Sequence, residues 1–146
     1  MMSRKAWIQK VHIETIRDEV EPPPPQLNSR FNSLEAWLHY ICNSDQPKIP
    51  ILTYEFDIFF CQPRAEFVVV LVGFNTYGNY EKIDFEPLDG YYLVPKSESE
   101  NLDYAQYNNL LTKKLQTFTK SKMFKESNLA IAETLNLCGR KIWSHE

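Results

Sequence analysis

The chain has 146 residues, of which 43% are hydrophobic and 14% aromatic, and its formal net charge is −3. This length suits one domain that buries about 70% of its unfolded surface, and the apolar content excludes a largely disordered chain. The charge is uneven: residues 1–103 carry 16 acidic and 9 basic side chains, whereas residues 104–146 carry 3 acidic and 7 basic ones. The acidic balance argues against a general nucleic-acid-binding protein, which would have a basic face.

The sequence has no recognisable membrane helix, signal peptide or cysteine motif. No run approaches the ~20 apolar residues of a membrane helix, and Arg4 and Lys5 are not followed by the apolar core of a signal peptide. We therefore expect a cytoplasmic protein. Cys42, Cys61 and Cys138 lie far apart and form no Cys-x-x-Cys pair, which predicts reduced thiols instead of disulfides or a zinc site.

The first thirty or so residues predict a strand and a spacer. Residues 7–15 alternate as in a strand with one buried face, although Ile8, Val11 and Ile16 also fit a helix. The four prolines at 22–25 must be extended, because each ring fixes φ and removes a donor. They predict a spacer within one domain that spans residues 1–146; a ligand for an SH3-type groove is the less favoured alternative.

A short amphipathic helix follows the spacer. Apolar residues at i, i+3, i+4 and i+7 predict a helix over residues 34–43. Asn32 or Ser33 is suited to cap it, with Glu35 completing a capping box.

The middle of the chain predicts a sheet. Residues 54–60 alternate as a half-buried strand, and residues 62–65 turn the chain back into a second strand. This second strand, residues 66–74, is apolar on both faces, so we predict that it is the central strand and is covered on both sides. Residues 83–86 and 91–94 predict two further extended pieces.

The last third predicts a helix and then a hairpin. After a polar loop at 96–101, Asp103 and Gln106 form a capping signal for a helix that runs to about residue 119. Residues 129–135 and 140–143 predict two strands joined by a turn at 136–139, although a helix at 127–137 is an open alternative. The predicted fold is a single α+β domain, a mostly antiparallel sheet packed against two main helices.

No residue pattern indicates a catalytic, cofactor or metal site. His12, His39 and His145 fall on three different predicted elements, without the local spacing of metal ligands. Glu55, Asp57 and Glu66 could meet across the hairpin as in a metal-dependent nuclease, which makes a small hydrolase or nuclease the alternative function. The nuclease pattern would place a Glu-x-Lys on the second strand, which is missing here. The simpler interpretation is that these carboxylates face solvent.

Two charged clusters are candidate contact sites. Residues 81–103 interleave carboxylates with tyrosines, a composition suited to a basic protein partner, because charge speeds encounter and rings supply buried contact. The simpler interpretation of this stretch is a solvated loop. The candidate contact residues are Glu81, Asp84, Glu86, Asp89, Tyr91, Tyr92, Glu98, Glu100 and Asp103. Opposite in sign, Lys113, Lys114, Lys120, Lys122 and Lys125 lie towards the end of a helix, where the helix dipole favours cations; phosphate binding is the functional alternative.

Several short segments carry a resemblance to a known class of protein. They are residues 13–15, 33–37, 71–75, 83–87, 115–118, 125–127 and 139–144. In these segments the chain resembles the small cytosolic immunity proteins that accompany bacterial polymorphic or contact-delivered toxins, in particular those of Bacteroidetes. The resemblance implies a non-catalytic inhibitor that binds a cognate toxin, such as a basic nuclease. An adaptor subunit of a larger complex is a further alternative.

Overall fold

The computed structural model describes residues 31–44, 46–61, 66–76 and 83–145. The strand predicted at 7–15 and the proline spacer at 22–25 lie outside these ranges. The helices are α1 (Leu34–Cys42), α2 (Lys96–Ser99), α3 (Tyr104–Phe118) and α4 (Lys122–Lys125), with a 3-10 helix at Asn128–Ile131. The strands are β1 (Thr53–Cys61), β2 (Glu66–Phe74), β3 (Tyr91–Leu93), β4 (Thr134–Leu137) and β5 (Arg140–Ser144).

The five strands form one mixed sheet in the order β3-β2-β1-β4-β5. β1 pairs antiparallel with β2 and parallel with β4, while β2–β3 and β4–β5 are antiparallel. The predicted class, a single α+β domain with a mostly antiparallel sheet, is confirmed. The middle strand is β1 and not β2, because the C-terminal hairpin adds to the free side of β1.

β2 is buried on both faces, as its sequence predicts. Val68, Val69, Val70 and Leu71 each have 0% of their surface exposed. Even-numbered residues of β2 point to one face and odd-numbered ones to the other, so the burial of consecutive residues requires cover on both sides.

The helices pack against the odd-numbered face of β2 through stacked aromatic rings. Trp37 of α1 stacks on Tyr92 with ring centroids 5.7 Å apart and an interplanar angle of 15°. Tyr107 of α3 stacks on Phe67 at 5.0 Å and 8°. These contacts place α1 and α3 side by side on one face of the sheet, as expected for the two main helices.

The helix caps agree in part with the prediction. Asp103 caps α3 and Gln106 completes the capping box, as predicted. Ser33 caps α1 by accepting from the Ala36 N–H at 3.1 Å, so Glu35 is the second helical residue and cannot close a box. The box predicted for α1 is therefore wrong.

Two predictions around β3 need correction. The strand expected at 83–86 is a single bridge between Phe85 and Gly73, because a turn interrupts the pairing before β3 resumes it further along β2. The loop expected at 96–101 contains α2, a single helical turn that follows Pro95. Proline is well placed there, because the first helical N–H groups need no partner within the helix.

The C-terminal hairpin is confirmed, with a shorter first strand than predicted. Residues 128–131 form the 3-10 helix, and pairing starts only at Thr134. The turn contains Cys138 and Gly139, both with positive φ, at 50° and 81°. Glycine adopts this conformation without strain, and the sequence places it where the reversal occurs.

Candidate protein-binding surface

The described part of the predicted contact region, residues 83–103, follows the outer edge of the sheet; we call it the acidic segment. It carries six acidic side chains and one basic one, Lys96, for a net charge of −5. Its backbone is attached to β2 at three levels. The hydrogen bonds run from Gly73 N to Phe85 O (2.8 Å), from Leu71 N to Gly90 O (2.8 Å) and from Val94 N to Phe67 O (2.9 Å). Residues 85–94 of the segment therefore belong to the sheet edge, and residues 95–103 continue through α2 to the cap of α3.

A tight turn in this segment is fixed against α1. The Gly90 N–H donates to the Pro87 carbonyl at 3.0 Å, and a side chain at Gly90 would place its Cβ only 2.9 Å from that oxygen. The Trp37 indole N–H donates to the Asp89 carbonyl at 3.0 Å, and the Tyr40 hydroxyl donates to the Asp89 carboxylate at 3.4 Å. Two side chains of one helix thus hold the turn.

Three other carboxylates are held by single hydrogen bonds. Asp84 accepts from the Asn75 N–H at 2.9 Å, and Asp103 accepts from the Gln106 N–H at 2.8 Å as the cap of α3. Glu98 accepts from the Tyr92 hydroxyl at 2.8 Å. A carboxylate has about four acceptor positions, so each of these groups keeps free acceptor capacity for a partner.

Exposure divides the predicted contact residues into groups. Glu100 and Asp103 are exposed, whereas the half-buried members are Asp84, Glu86, Asp89, Tyr91 and Glu98. Tyr92 is 0% exposed, so it supports the surface from below and cannot contact a partner. Burial, followed by the hydrogen bond to Glu98, raises the pKa of the Tyr92 phenol, which keeps it protonated as the donor. Glu81 lies outside the described residues.

One surface residue was missed by the sequence reasoning. Leu88 is 54% exposed at the tip of the turn between Pro87 and Gly90. An apolar side chain between proline and Asp-Gly is a recognisable signal of an exposed turn tip. It places an apolar contact among the carboxylates, a combination common at protein interfaces.

Four carboxylates of the acidic segment have no cationic partner among the described residues. Asp84, Glu98, Glu100 and Asp103 make no ion pair with any residue in the described ranges. Their negative potential therefore extends into solvent, where it acts over about one Debye length, ~8 Å at physiological salt.

The three carboxylates considered for catalysis are not brought together. Glu66 pairs with Cys61, four residues along β1 from Asp57, which corresponds to roughly 13 Å. Within the described ranges no three His, Cys, Asp or Glu side chains are grouped as a metal site. Of the three, only Glu55 and Asp57 are neighbours.

Glu55 and Asp57 do not both face solvent, contrary to expectation. Glu55 is 7% exposed and accepts from the Gly139 N–H at 2.6 Å, which connects β1 to the C-terminal turn. Burial raises its pKa. Asp57 is half-buried, and burial followed by repulsion from Glu55 raises its pKa from 3.8 to about 7. The bond to Gly139 gives Glu55 a structural role.

The cysteines and histidines were the other candidates for catalysis or metal binding. None of the three cysteines forms a disulfide, and burial raises the pKa of the Cys42 thiol to about 11, which makes it a poor nucleophile. Cys138 is half-buried, with its Sγ 3.4 Å from the Tyr104 hydroxyl. His39 and His145 are exposed, and His12 lies outside the described residues.

Comparison of the chain with protein-family models, with curated proteins and with solved structures finds no match in any of the three searches. Among the helices in the described ranges, none is long and apolar enough to cross a membrane. Function is therefore inferred from the surface chemistry of the chain and from its resemblance to immunity proteins.

Proposed function

We propose that this chain is an immunity protein that neutralises a cognate bacterial toxin by binding it directly, without chemistry of its own. The observation that carries the proposal is the acidic segment. Its backbone is attached along β2, its turn is held by α1, and its net charge is −5. The resemblance to cytosolic immunity proteins supports the same function.

The acidic segment suits an inhibitor because inhibition by binding needs fast association and a contact surface that is already ordered. Negative charge accelerates encounter with a basic protein, such as a nuclease with a phosphate-binding cleft. Hydrogen bonds that already hold Asp84, Asp89 and Glu98 reduce the entropy lost on binding. Leu88 supplies an apolar contact within the charged surface.

Co-expression with the product of the neighbouring gene is the first test. A basic toxin domain that co-purifies with the chain supports immunity. Absence of a toxin gene beside this one would favour the adaptor alternative.

Charge reversal then tests the surface itself. We expect Glu86→Lys combined with Glu100→Lys to slow association with the toxin roughly tenfold at low salt and to flatten its salt dependence. Stopped-flow measurements across a salt series give both quantities. The matched control is Glu126→Lys, since Glu126 is exposed and lies outside the acidic segment. Equal association rates for the two variants would contradict the proposed surface.

A further inference from the structure

A second surface lies between α1 and α3, where α3 ends and α4 begins. It is a groove of about 390 Å³, within the ~300–1,000 Å³ range of protein ligand pockets. Leu34 and Leu38 of α1 face Phe118 and Met123 across it and make its wall apolar. We call it the lysine groove because of the charges at its rim.

Five lysines lie on α3, on α4 and in the turn between them, the part of the chain that forms one side of the groove. Lys113 and Lys114 line the groove, and Lys120, Lys122 and Lys125 follow in and beside α4. With Glu35 and Glu126 as the nearby acids, five positive and two negative charges leave +3. The lysine groove therefore favours an anionic ligand that also carries apolar groups.

The lysines that line the groove are accessible to a ligand. Lys113 is exposed and makes no ion pair with any residue in the described ranges. Lys114 Nζ lies 3.9 Å from Glu35 Oε1, and the two side chains are 37% and 69% exposed. An exposed pair at this distance is worth about 0–1 kcal/mol, so a carboxylate of a ligand can replace Glu35.

The position of the groove limits the size of its ligand. It begins at Leu34 on α1, and the acidic segment reaches the same helix through Tyr40. A nine-residue helix is about 14 Å long, so an extended polyanion would meet the carboxylates at its far end. A short segment whose apolar side chains enter the groove avoids that repulsion.

We propose that the lysine groove binds a short acidic peptide segment of a protein partner. One or two apolar side chains of that segment fill the space between α1 and α3, and carboxylates beside them contact Lys113 and its neighbours. This interaction is separate from toxin binding through the acidic segment and does not depend on it.

Selection from a displayed library of random short peptides tests the proposal. We expect enriched peptides to combine apolar residues with Asp or Glu, and their synthetic versions to bind the full chain. Lys113→Glu combined with Lys120→Glu should weaken binding about tenfold or more, because it reverses the rim charge. Thr117→Trp should do the same by filling the groove, since Thr117 lines it and is exposed.

Two controls make the result specific. Lys141→Glu reverses an exposed charge on β5, outside the groove, and should leave peptide affinity unchanged. Glu86→Lys with Glu100→Lys should also leave it unchanged, which separates this interaction from toxin binding. The proposal is overturned by an absence of enrichment, by enriched peptides without acidic residues, or by equal binding to the groove variants. Displacement of the peptide by a single-stranded DNA oligonucleotide would likewise overturn it, by identifying a general polyanion site.

Discussion

The acidic segment and the lysine groove carry opposite charge, and they differ in how that charge is held. In the acidic segment, Asp84, Asp89 and Glu98 each accept a hydrogen bond from the protein. At the groove, the ammonium groups end flexible chains, and Lys114 has only a loose contact with Glu35. The side chains of the first surface are held before any partner binds, and those of the second would become ordered only on binding.

This difference has a thermodynamic consequence. Ordering a long side chain on binding costs about 0.5–1.5 kcal/mol, a cost that carboxylates already held in place largely avoid. The acidic segment is therefore suited to one partner of fixed shape, whereas the lysine groove is suited to ligands of variable sequence. Mutations that remove the contacts holding the acidic segment should make its side chains more mobile, and so raise its ordering cost on binding towards that of the lysine groove.

The largest effect is expected from Trp37→Ala. Trp37 is 0% exposed, stacks on Tyr92 and holds the turn through Asp89, so its removal should lower the free energy of unfolding by about 3–5 kcal/mol. Urea denaturation measures this loss. Trp37→Phe keeps most of the packing and removes the indole donor, so its loss should be clearly smaller. Equal losses for both variants would mean that packing contributes nothing beyond the hydrogen bond.

Asp57→Asn extends the comparison to a carboxylate that accepts no hydrogen bond from the described residues. With a pKa of about 7 instead of 3.8, Asp57 binds its proton more readily in the folded chain, so stability falls as pH rises from about 4 to about 7. The full pKa shift of Asp57 corresponds to a change of at most ~4 kcal/mol in the free energy of unfolding. Because the side chain is partly exposed, we expect roughly half of that change.

Denaturation at several pH values checks this prediction. The Asp57→Asn variant should be about 2 kcal/mol more stable than wild type at pH 8, and the difference should vanish towards pH 4. Glu126→Gln, at an exposed site, should show no such trend. A difference that is independent of pH would assign the effect to packing.

The smallest effect is expected from Tyr92→Phe, which releases Glu98 alone. Loss of the 2.8 Å hydrogen bond should cost about 0.5–1.5 kcal/mol and speed amide exchange in α2. Tyr104→Phe is the matched control, because Tyr104 is 45% exposed and its hydroxyl contacts Cys138 and Asn108 instead of Glu98. Unchanged exchange in α2 would show that Glu98 is held by other contacts.

Local patterns predicted most of the elements. The strands β1 and β2 and the capping box at Asp103 each depend on neighbouring residues, and the structure contains all three. The half-buried pattern predicted for residues 54–60 is wrong at its start, where the consecutive residues 54–56 are all buried. The order of strands depends on contacts between distant residues. The parallel pairing of Thr53 with Thr134 has no sequence signal, and without it β2 was taken as the central strand.

Burial of charged residues was equally hard to predict. Alternation placed Glu55 on the polar side of its strand, yet the Gly139 N–H, 84 positions away, satisfies its carboxylate inside the protein. The acidic segment was recognisable from composition alone. Its attachment to β2 and the burial of Tyr92 follow from tertiary packing, which composition does not encode.

The parallel pairing of β1 with β4 also affects how the chain is made. During synthesis β1 and β2 emerge from the ribosome about sixty residues or more before β4. One edge of β1 therefore stays unpaired until β4 has been made. An unpaired strand edge of that length attracts strands of other nascent chains. Translation speed across residues 75–133, and chaperones that reach the emerging hairpin, should therefore influence the yield of native protein.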